Sequence, residues 1–206
     1  MDSKYKWLEI AQSLQSIAQA GLTYTENKYD IERYEQIMQL SKDIIADFTG
    51  LTMDKLHDIF NLEVGYLTPK VDVRAVIFRE DKILLVKETI DGKWSLPGGW
   101  ADVGFTPSEV IVKEVKEESG LEASTVKLLA VFDKKCHPHP PELYYVYKIF
   151  FLCQENGGEL KSGIETSAVN FFGINELPEL STNRNTKSQI EQMFILKEKP
   201  GETLFD

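Results

Sequence analysis

The chain has few cysteines and no long uncharged apolar run. Its 206 residues include two cysteines, Cys136 and Cys153, too few for a disulfide framework and typical of a reducing compartment. No stretch approaches the roughly 18 apolar residues that suggest a membrane span. The charged, amphipathic start of the sequence also lacks the apolar segment of a signal peptide. We therefore expect a cytoplasmic protein with no membrane partner.

Acidic residues outnumber basic residues in this sequence. The sequence has 23 Lys and Arg against 33 Asp and Glu, a formal net charge of −10. A dedicated nucleic-acid binder usually carries a basic stripe, so this balance argues against that class. A phosphorylated substrate stays possible because a bound cation inverts the local field.

The first segment of the sequence has few strand signals and is predicted to be helical. Apolar residues recur at three- and four-residue spacing over 7–18 and 29–48, which is typical of amphipathic helices. Gly21 is predicted to end the first helix, and Thr52 to begin a third. About 60 residues bury little surface alone, so this segment should pack on the rest of the chain or on a second copy.

The pattern changes near residue 67, so we divide the chain into a helical extension, 1–66, and a main domain, 67–206. The main domain mixes β-rich runs with helical ones, which indicates an α/β fold. We predict a hairpin from 71–78 and 83–86, strands at 93–96, 126–132, 143–153 and 168–174, and helices at 107–119 and 185–196.

The helix predicted at 107–119 has strong signals at both ends. Thr106 and Glu109 form a capping-box pattern around Pro107, which suits the first helical position. Gly120 suits the position just past the end.

Three acids on this helix share one face. Glu114, Glu117 and Glu118 fall within an arc of about 100°, where like charges disfavour the helix. A divalent cation held by carboxylate oxygens would resolve that conflict. The alternative is a solvated acidic face, partly balanced by Lys113 and Lys116.

The loop before the helix is rich in glycine. It contains Gly98, Gly99 and Gly104 together with Asp102, and glycines let a backbone approach a ligand and expose its N–H groups. A strand, this loop and an acidic capped helix together predict a site for a metal ion and a phosphate.

Residues 99–121 resemble the Nudix box, G-x5-E-x7-R-E-U-x-E-E-x-G-U, where U is aliphatic. Two positions depart from it, because Phe105 stands in place of the first Glu and Lys113 in place of the Arg that typically braces the acids. A lysine keeps the charge but loses the bidentate fork. The positions in register are Glu114, Val115, Glu117, Glu118, Gly120 and Leu121.

The resemblance implies an α/β/α sandwich around a mixed sheet and a Nudix pyrophosphohydrolase. Such an enzyme would cleave a nucleoside diphosphate linked to another moiety, giving a nucleoside monophosphate and a phosphorylated product. The implied cofactor is Mg²⁺ or Mn²⁺, and the implied metal ligands are Gly98, Glu114, Glu117 and Glu118.

The general base in this family often comes from a loop outside the box. Glu165, between a glycine-rich turn and a strand, is our candidate for the base or for an extra metal ligand. Glu117 and Glu118 are the fallback bases, and an ordinary loop acid is the alternative for Glu165.

Four residues are candidate substrate contacts, each with a structural alternative. Arg74 lies in an apolar strand and either contacts phosphate or forms an ion pair. Lys87, at a strand end, either pairs with a phosphate or is solvated. Trp100 could stack on a base, and Tyr144 either reaches the ligand or belongs to the core.

Residues 1–61 resemble the helical extension of one Nudix subgroup, whose substrates include CDP-choline and ADP-ribose. The similar stretches lie at 21–25 and 29–34. In that subgroup the extension commonly supports dimerisation, so we expect a homodimer acting on a nucleotide.

Two other functions remain open. Nudix proteins also process RNA ends, although the charge of −10 speaks against a large RNA footprint. A non-catalytic ligand sensor is the other possibility, and metal-dependent turnover would exclude it. The Nudix box does not define which nucleobase or which leaving moiety the substrate carries.

Overall fold

The computed structural model describes residues 5–61, 63–199 and 201–206. Contacts between residues divide the chain into two units. One comprises Met1–Thr68 with Pro141–Leu143, and the other comprises Pro69–Pro140 with Tyr144–Asp206.

The first unit is helical, as predicted. Its helices are α1 (Lys6–Tyr24), α2 (Lys28–Thr49) and α3 (Met53–Asn61). Asn27 caps the start of α2 by accepting a hydrogen bond from Tyr29 N, and Gly50 ends it in the left-handed conformation. The buried side chains at the centre of the unit are Ala11, Ile45, Leu56 and Phe60.

The prediction that Gly21 ends the first helix is wrong. The helix continues to Tyr24, and Gly21 lies where the ring of Tyr34 in α2 crosses it. A Cβ added to Gly21 would lie 2.3 Å from that ring. The glycine therefore serves close packing between α1 and α2, a requirement that helix-end signals do not reveal.

The described residues of the second unit form two four-stranded sheets. Its strands are β1 (Lys70–Val76), β2 (Phe78–Arg79), β3 (Lys82–Glu88), β4 (Trp94–Ser95), β5 (Leu121–Asp133), β6 (Val146–Gly158), β7 (Thr166–Gly173) and β8 (Leu204–Phe205). The first sheet has the order β1-β6-β5-β8, with β1 parallel to β6 and β5 antiparallel to β6. The second joins β2, β3 and β4, and β7 pairs with β3.

Two helices lie on opposite sides of these sheets, which confirms the predicted α/β/α architecture with a mixed sheet. Helix α4 (Pro107–Ser119) packs Val110, Ile111 and Val115 against one core cluster. Helix α5 (Lys187–Lys197) contributes to the other, with Ile190 and Met193. None of the helices in the described part of the chain is long and apolar enough to cross a membrane.

The predicted hairpin of 71–78 with 83–86 is only partly correct. Phe78 and Arg79 pair with β3, but β1 pairs in parallel with β6, more than 70 residues away. The strand predicted at 143–153 begins at Val146. Composition identifies strands, whereas the partner of a doubly buried strand is set by tertiary packing.

We predict that Gly21→Ala changes the free energy of unfolding in a direction that depends on Tyr34. Alanine favours a helix by about 1 kcal/mol over glycine, but overpacking against the Tyr34 ring costs about 1–3 kcal/mol. The substitution should therefore destabilise the parent chain and stabilise the Tyr34→Ala variant by about 1 kcal/mol. Urea unfolding followed by far-UV circular dichroism measures both. The same sign in both backgrounds would contradict the packing account.

Candidate active site

The ends of α4 are fixed by the local signals read from the sequence. Thr106 Oγ1 accepts a hydrogen bond from Glu109 N at 3.3 Å, and Glu109 Oε2 accepts one from Thr106 N at 2.8 Å. Gly120 closes the helix with φ of 74°. The predicted helix bounds are confirmed.

The three acids of α4 differ in their surroundings. Glu118 is buried, with 7% of its surface exposed, and its carboxylate accepts a hydrogen bond from Gly98 N at 2.8 Å. Glu114 is half-buried, and Glu117 is exposed, with its Oε2 3.9 Å from Lys113 Nζ. The acidic face is therefore not simply solvated, because the side chain of Glu118 is buried.

Strand β1 holds the loop that carries Gly98. Val73 N donates to the Gly99 carbonyl and Ala75 N donates to the Pro97 carbonyl, both at 2.8 Å. Gly98 has φ of +141°, and a Cβ there would lie 2.0 Å from the Val73 carbonyl oxygen. Only glycine fits this close approach, which brings Gly98 N to Glu118.

A second loop, which contains Glu165, packs on the end of α4. Thr166 Oγ1 donates to the Glu118 carbonyl at 2.8 Å and accepts from Gly163 N at the same distance. The Glu165 carbonyl accepts from Thr89 N at 3.0 Å. The charge of Glu165 in turn contributes to raising the pKa of Glu114. The structure thus places Glu165 on a loop that packs against the end of α4, next to Thr166, and its role as base stays a prediction.

Two acids of α4, Glu118 and Glu114, have a raised pKa. Burial raises the pKa of Glu118 to about 8, with further upward contributions from Glu88 and Glu114 against the opposing Gly98 N–H and Arg74. Burial and then Glu117 raise the pKa of Glu114. Crowded, desolvated carboxylates are stabilised in their charged form by a nearby cation.

The donor set fits Mg²⁺ or Mn²⁺, since carboxylate and carbonyl oxygens are hard ligands. Within 5–61, 63–199 and 201–206, no three His, Cys, Asp or Glu side chains are arranged to hold an ion as they stand. Joint ligation by Glu114, Glu117 and Glu118 would therefore require side-chain rotation. The metal-ligand assignments, Gly98 included, remain predictions.

Arg74 lies beside this site in a buried ionic network. It is 3% exposed, and its Nε and Nη2 donate to the two carboxylate oxygens of Asp72 at 2.9 and 2.6 Å. Nη1 donates to the Leu96 carbonyl at 3.1 Å. Lys148, 1% exposed, also donates to Asp72, at 2.8 Å. Of the two alternatives open for Arg74, the structure shows the ion pair.

None of the described contacts of Lys87, Trp100 or Tyr144, the other predicted substrate contacts, involves an acid of α4. Strand alternation places Lys87 on the face of Ile83 and Leu85, which belong to the α5 core, so nothing in its described contacts supports a phosphate at α4. Trp100, 47% exposed, forms a backbone bridge with Asp72 and is accessible for stacking. Tyr144 is half-buried, with its ring beneath the ammonium of Lys70.

Sequence reasoning missed Asp72, Glu88, Lys148 and Arg184. Glu88 is 3% exposed, accepts from Ser95 Oγ at 2.6 Å and pairs with Arg184 at 2.8 Å. A signal existed for three of them, because Asp72, Glu88 and Lys148 interrupt apolar strands, where a charge is unexpected unless paired. Asp72 and Arg74 lie two residues apart on one face of β1, but Lys148 and Arg184 lie in distant elements, so their pairings could not be assigned.

Comparison with known proteins agrees with this geometry. Residues 68–193, more than half of the chain, match the family model described as the NUDIX domain. Residues 5–60 match a model described as a UDP-X-like, N-terminal oligomerisation domain. The chain therefore belongs to the Nudix family, as a Nudix pyrophosphohydrolase, which confirms the resemblance seen in the sequence.

Two of the following three relatives match nearly the whole chain. A Bacillus subtilis (strain 168) protein described as "Putative ADP-ribose pyrophosphatase" is 47% identical over 202 residues, covering 98% of this chain and 97% of the relative. The crystal structure of an ADP-ribose pyrophosphatase from Streptococcus suis 89-1591 is 45% identical with a TM-score of 0.62, covering 68% of this chain and all of that one. The crystal structure of a UDP-X diphosphatase is 33% identical with a TM-score of 0.65, covering 98% of both chains.

We predict that Gly98→Ala abolishes hydrolysis, while Gly104→Ala largely preserves it. Both glycines have positive φ, at +141° and +94°, but a Cβ on Gly104 would meet nothing within 4 Å. A left-handed conformation costs a non-glycine residue about 1–2 kcal/mol, whereas only Gly98 also meets β1. Thermal unfolding and turnover, measured on both variants, separate backbone strain from displacement of the loop. Equal losses in the two would contradict the role of close packing.

Proposed function

We propose that this protein hydrolyses the diphosphate bond of a nucleoside diphosphate linked to a second moiety, with ADP-ribose and UDP-linked compounds as the substrate class. The products are a nucleoside monophosphate and a phosphorylated second moiety. The observation that carries the proposal is the buried carboxylate of Glu118 on Gly98 N, on the same helix as Glu114 and within a matched NUDIX domain. The described activities of the full-length relatives support the substrate class.

Glu114, Glu117, Glu118 and the Gly98 carbonyl would hold Mg²⁺ or Mn²⁺, which would neutralise charge on the diphosphate and make the attacking water more acidic. Glu165 lies on a loop packed against the end of α4, so it can approach that water and accept its proton. Trp100, exposed at the edge of the same loop as Gly98, provides a ring on which a nucleobase can stack.

We predict metal-dependent release of a nucleoside monophosphate, identified by mass, from at least one of ADP-ribose, UDP-glucose and CDP-choline. Chelator should abolish it. Glu118→Gln and Glu117→Gln should each lower turnover by about 10²-fold or more, since a metal ligand contributes several kcal/mol. Glu122→Gln is the matched control, because the Glu122 carboxylate forms a surface ion pair with Lys116 in the described part of the chain.

The same assay tests the alternatives. Cleavage confined to a 5′-triphosphate RNA would replace the proposal with RNA-end processing. Metal-independent binding of ADP-ribose without turnover, with Glu118→Gln matching the parent, would indicate a ligand sensor.

We also propose that the protein is a homodimer formed through α1. Ile10, Ile17 and Tyr24 recur every seventh residue on α1 and are 46%, 56% and 73% exposed. Leu14, which is half-buried, lies between Ile10 and Ile17, so these apolar residues form a stripe along one side of α1. The matched description of this segment as an oligomerisation domain supports the assignment.

We predict that Ile17→Glu converts the protein to a monomer in multi-angle light scattering, because a charge would enter the apolar seam. Ser16→Glu adds the same charge to an adjacent exposed position of α1 and should leave the dimer intact. A monomeric parent, or a dimer that survives Ile17→Glu, would remove α1 as the interface.

A further inference from the structure

The box position that braces the acids in the family is occupied by a surface residue in this chain. Lys113 has 45% of its side chain exposed, and its Nζ lies 3.3 Å from Asp102 and 3.9 Å from Glu117. Exposed ion pairs at such distances are worth little and do not fix a geometry. Lys113 therefore pairs with the outermost acid and leaves the buried one, Glu118, without this support.

A buried arginine stands on the other side of the glycine loop. Arg74 is held by both oxygens of Asp72, and Lys148 neutralises that carboxylate further. Such a bidentate pair orients the guanidinium plane, which a lysine cannot reproduce. The remaining guanidinium nitrogen, Nη1, donates to the Leu96 carbonyl, two residues before Gly98.

Strand β1, which contains Arg74, contacts the loop on both sides of Gly98. Arg74 holds the residue that leads into Pro97, while the backbone around Asp72 forms a bridge with Trp100. Gly98 N, between these two attachments, is the group that binds Glu118. A change at Arg74 would therefore reach Glu118 through one short segment of backbone.

We propose that Arg74, rather than Lys113, is the positioning residue of this active site, holding the Gly98 loop and Glu118 in the arrangement that binds the metal ion. Arg74 acts through the Leu96 carbonyl and the Gly98 N–H, and it touches neither the substrate nor the ion. The inference rests on the metal-dependent hydrolysis proposed above, but it concerns this chain's own departure from the Nudix box.

The test compares the metal affinity of four variants with that of the parent. Arg74→Met removes the fork and the charge, Arg74→Lys keeps the charge alone, and Lys113→Met removes the surface cation. Arg79→Met is the matched control, because Arg79 also makes a bidentate pair, with Glu155, at an exposed site. Mn²⁺ binding is measured by isothermal titration, with near-UV circular dichroism as the check on folding.

We expect Arg74→Met to weaken Mn²⁺ binding and to lower kcat by about 10–100-fold, the range typical of residues that support metal ligands. KM at saturating Mn²⁺ should stay close to that of the parent, since Arg74 does not touch the substrate. The Mn²⁺ affinity and kcat of Arg74→Lys should lie between those of the parent and those of Arg74→Met. Lys113→Met should change both quantities little, and Arg79→Met should match the parent.

Unchanged Mn²⁺ affinity in folded Arg74→Met, or an equal loss in Lys113→Met, would overturn the proposal. If Arg74→Met does not fold, Arg74→Lys decides the question by the same two criteria. A parent that binds Mn²⁺ but cleaves none of the compounds would defeat the proposed function, while the affinities would still test the positioning role.

Discussion

The approach of Gly98 to the Val73 carbonyl is the contact on which the site depends. A Cβ would lie 2.0 Å from that oxygen, so the loop can lie flat on β1 only without a side chain. This contact brings Gly98 N within 2.8 Å of Glu118, which in turn draws the end of α4 inward. The carboxylate is consequently desolvated, and its pKa rises to about 8 because burial outweighs its hydrogen bond.

Local signals and long-range packing contribute differently to this arrangement. The capping box of Thr106 with Glu109 and the left-handed Gly120 define α4 from its own sequence. Nothing local determines that β1 pairs with β6, or that Asp72 meets Lys148 across that pairing. The architecture and the acidic helix could thus be predicted, whereas the buried ionic network could only be suspected from isolated charges in apolar strands.

Glycine illustrates the same limit. Gly120 and Gly98 are both conspicuous in the sequence, and each has a positive φ. Gly21 was predicted to end a helix, but it lies inside α1 beneath Tyr34, a residue of another helix. A glycine that is needed for its backbone conformation can be recognised from the neighbouring residues. A glycine that is needed for close packing depends on a partner elsewhere in the chain, which the local sequence does not identify.

The departures from the box are best understood together with the network on β1. A buried cation is costly unless it is paired, and Asp72 and Lys148 make Arg74 part of a fully enclosed set of charges. Such a set can fix the loop more rigidly than a solvated side chain at position 113, since it does not exchange partners with water. Lys113 is then free to pair with Asp102 at the rim. In this arrangement the loop is braced from β1, the strand beneath it, rather than from position 113 of the helix.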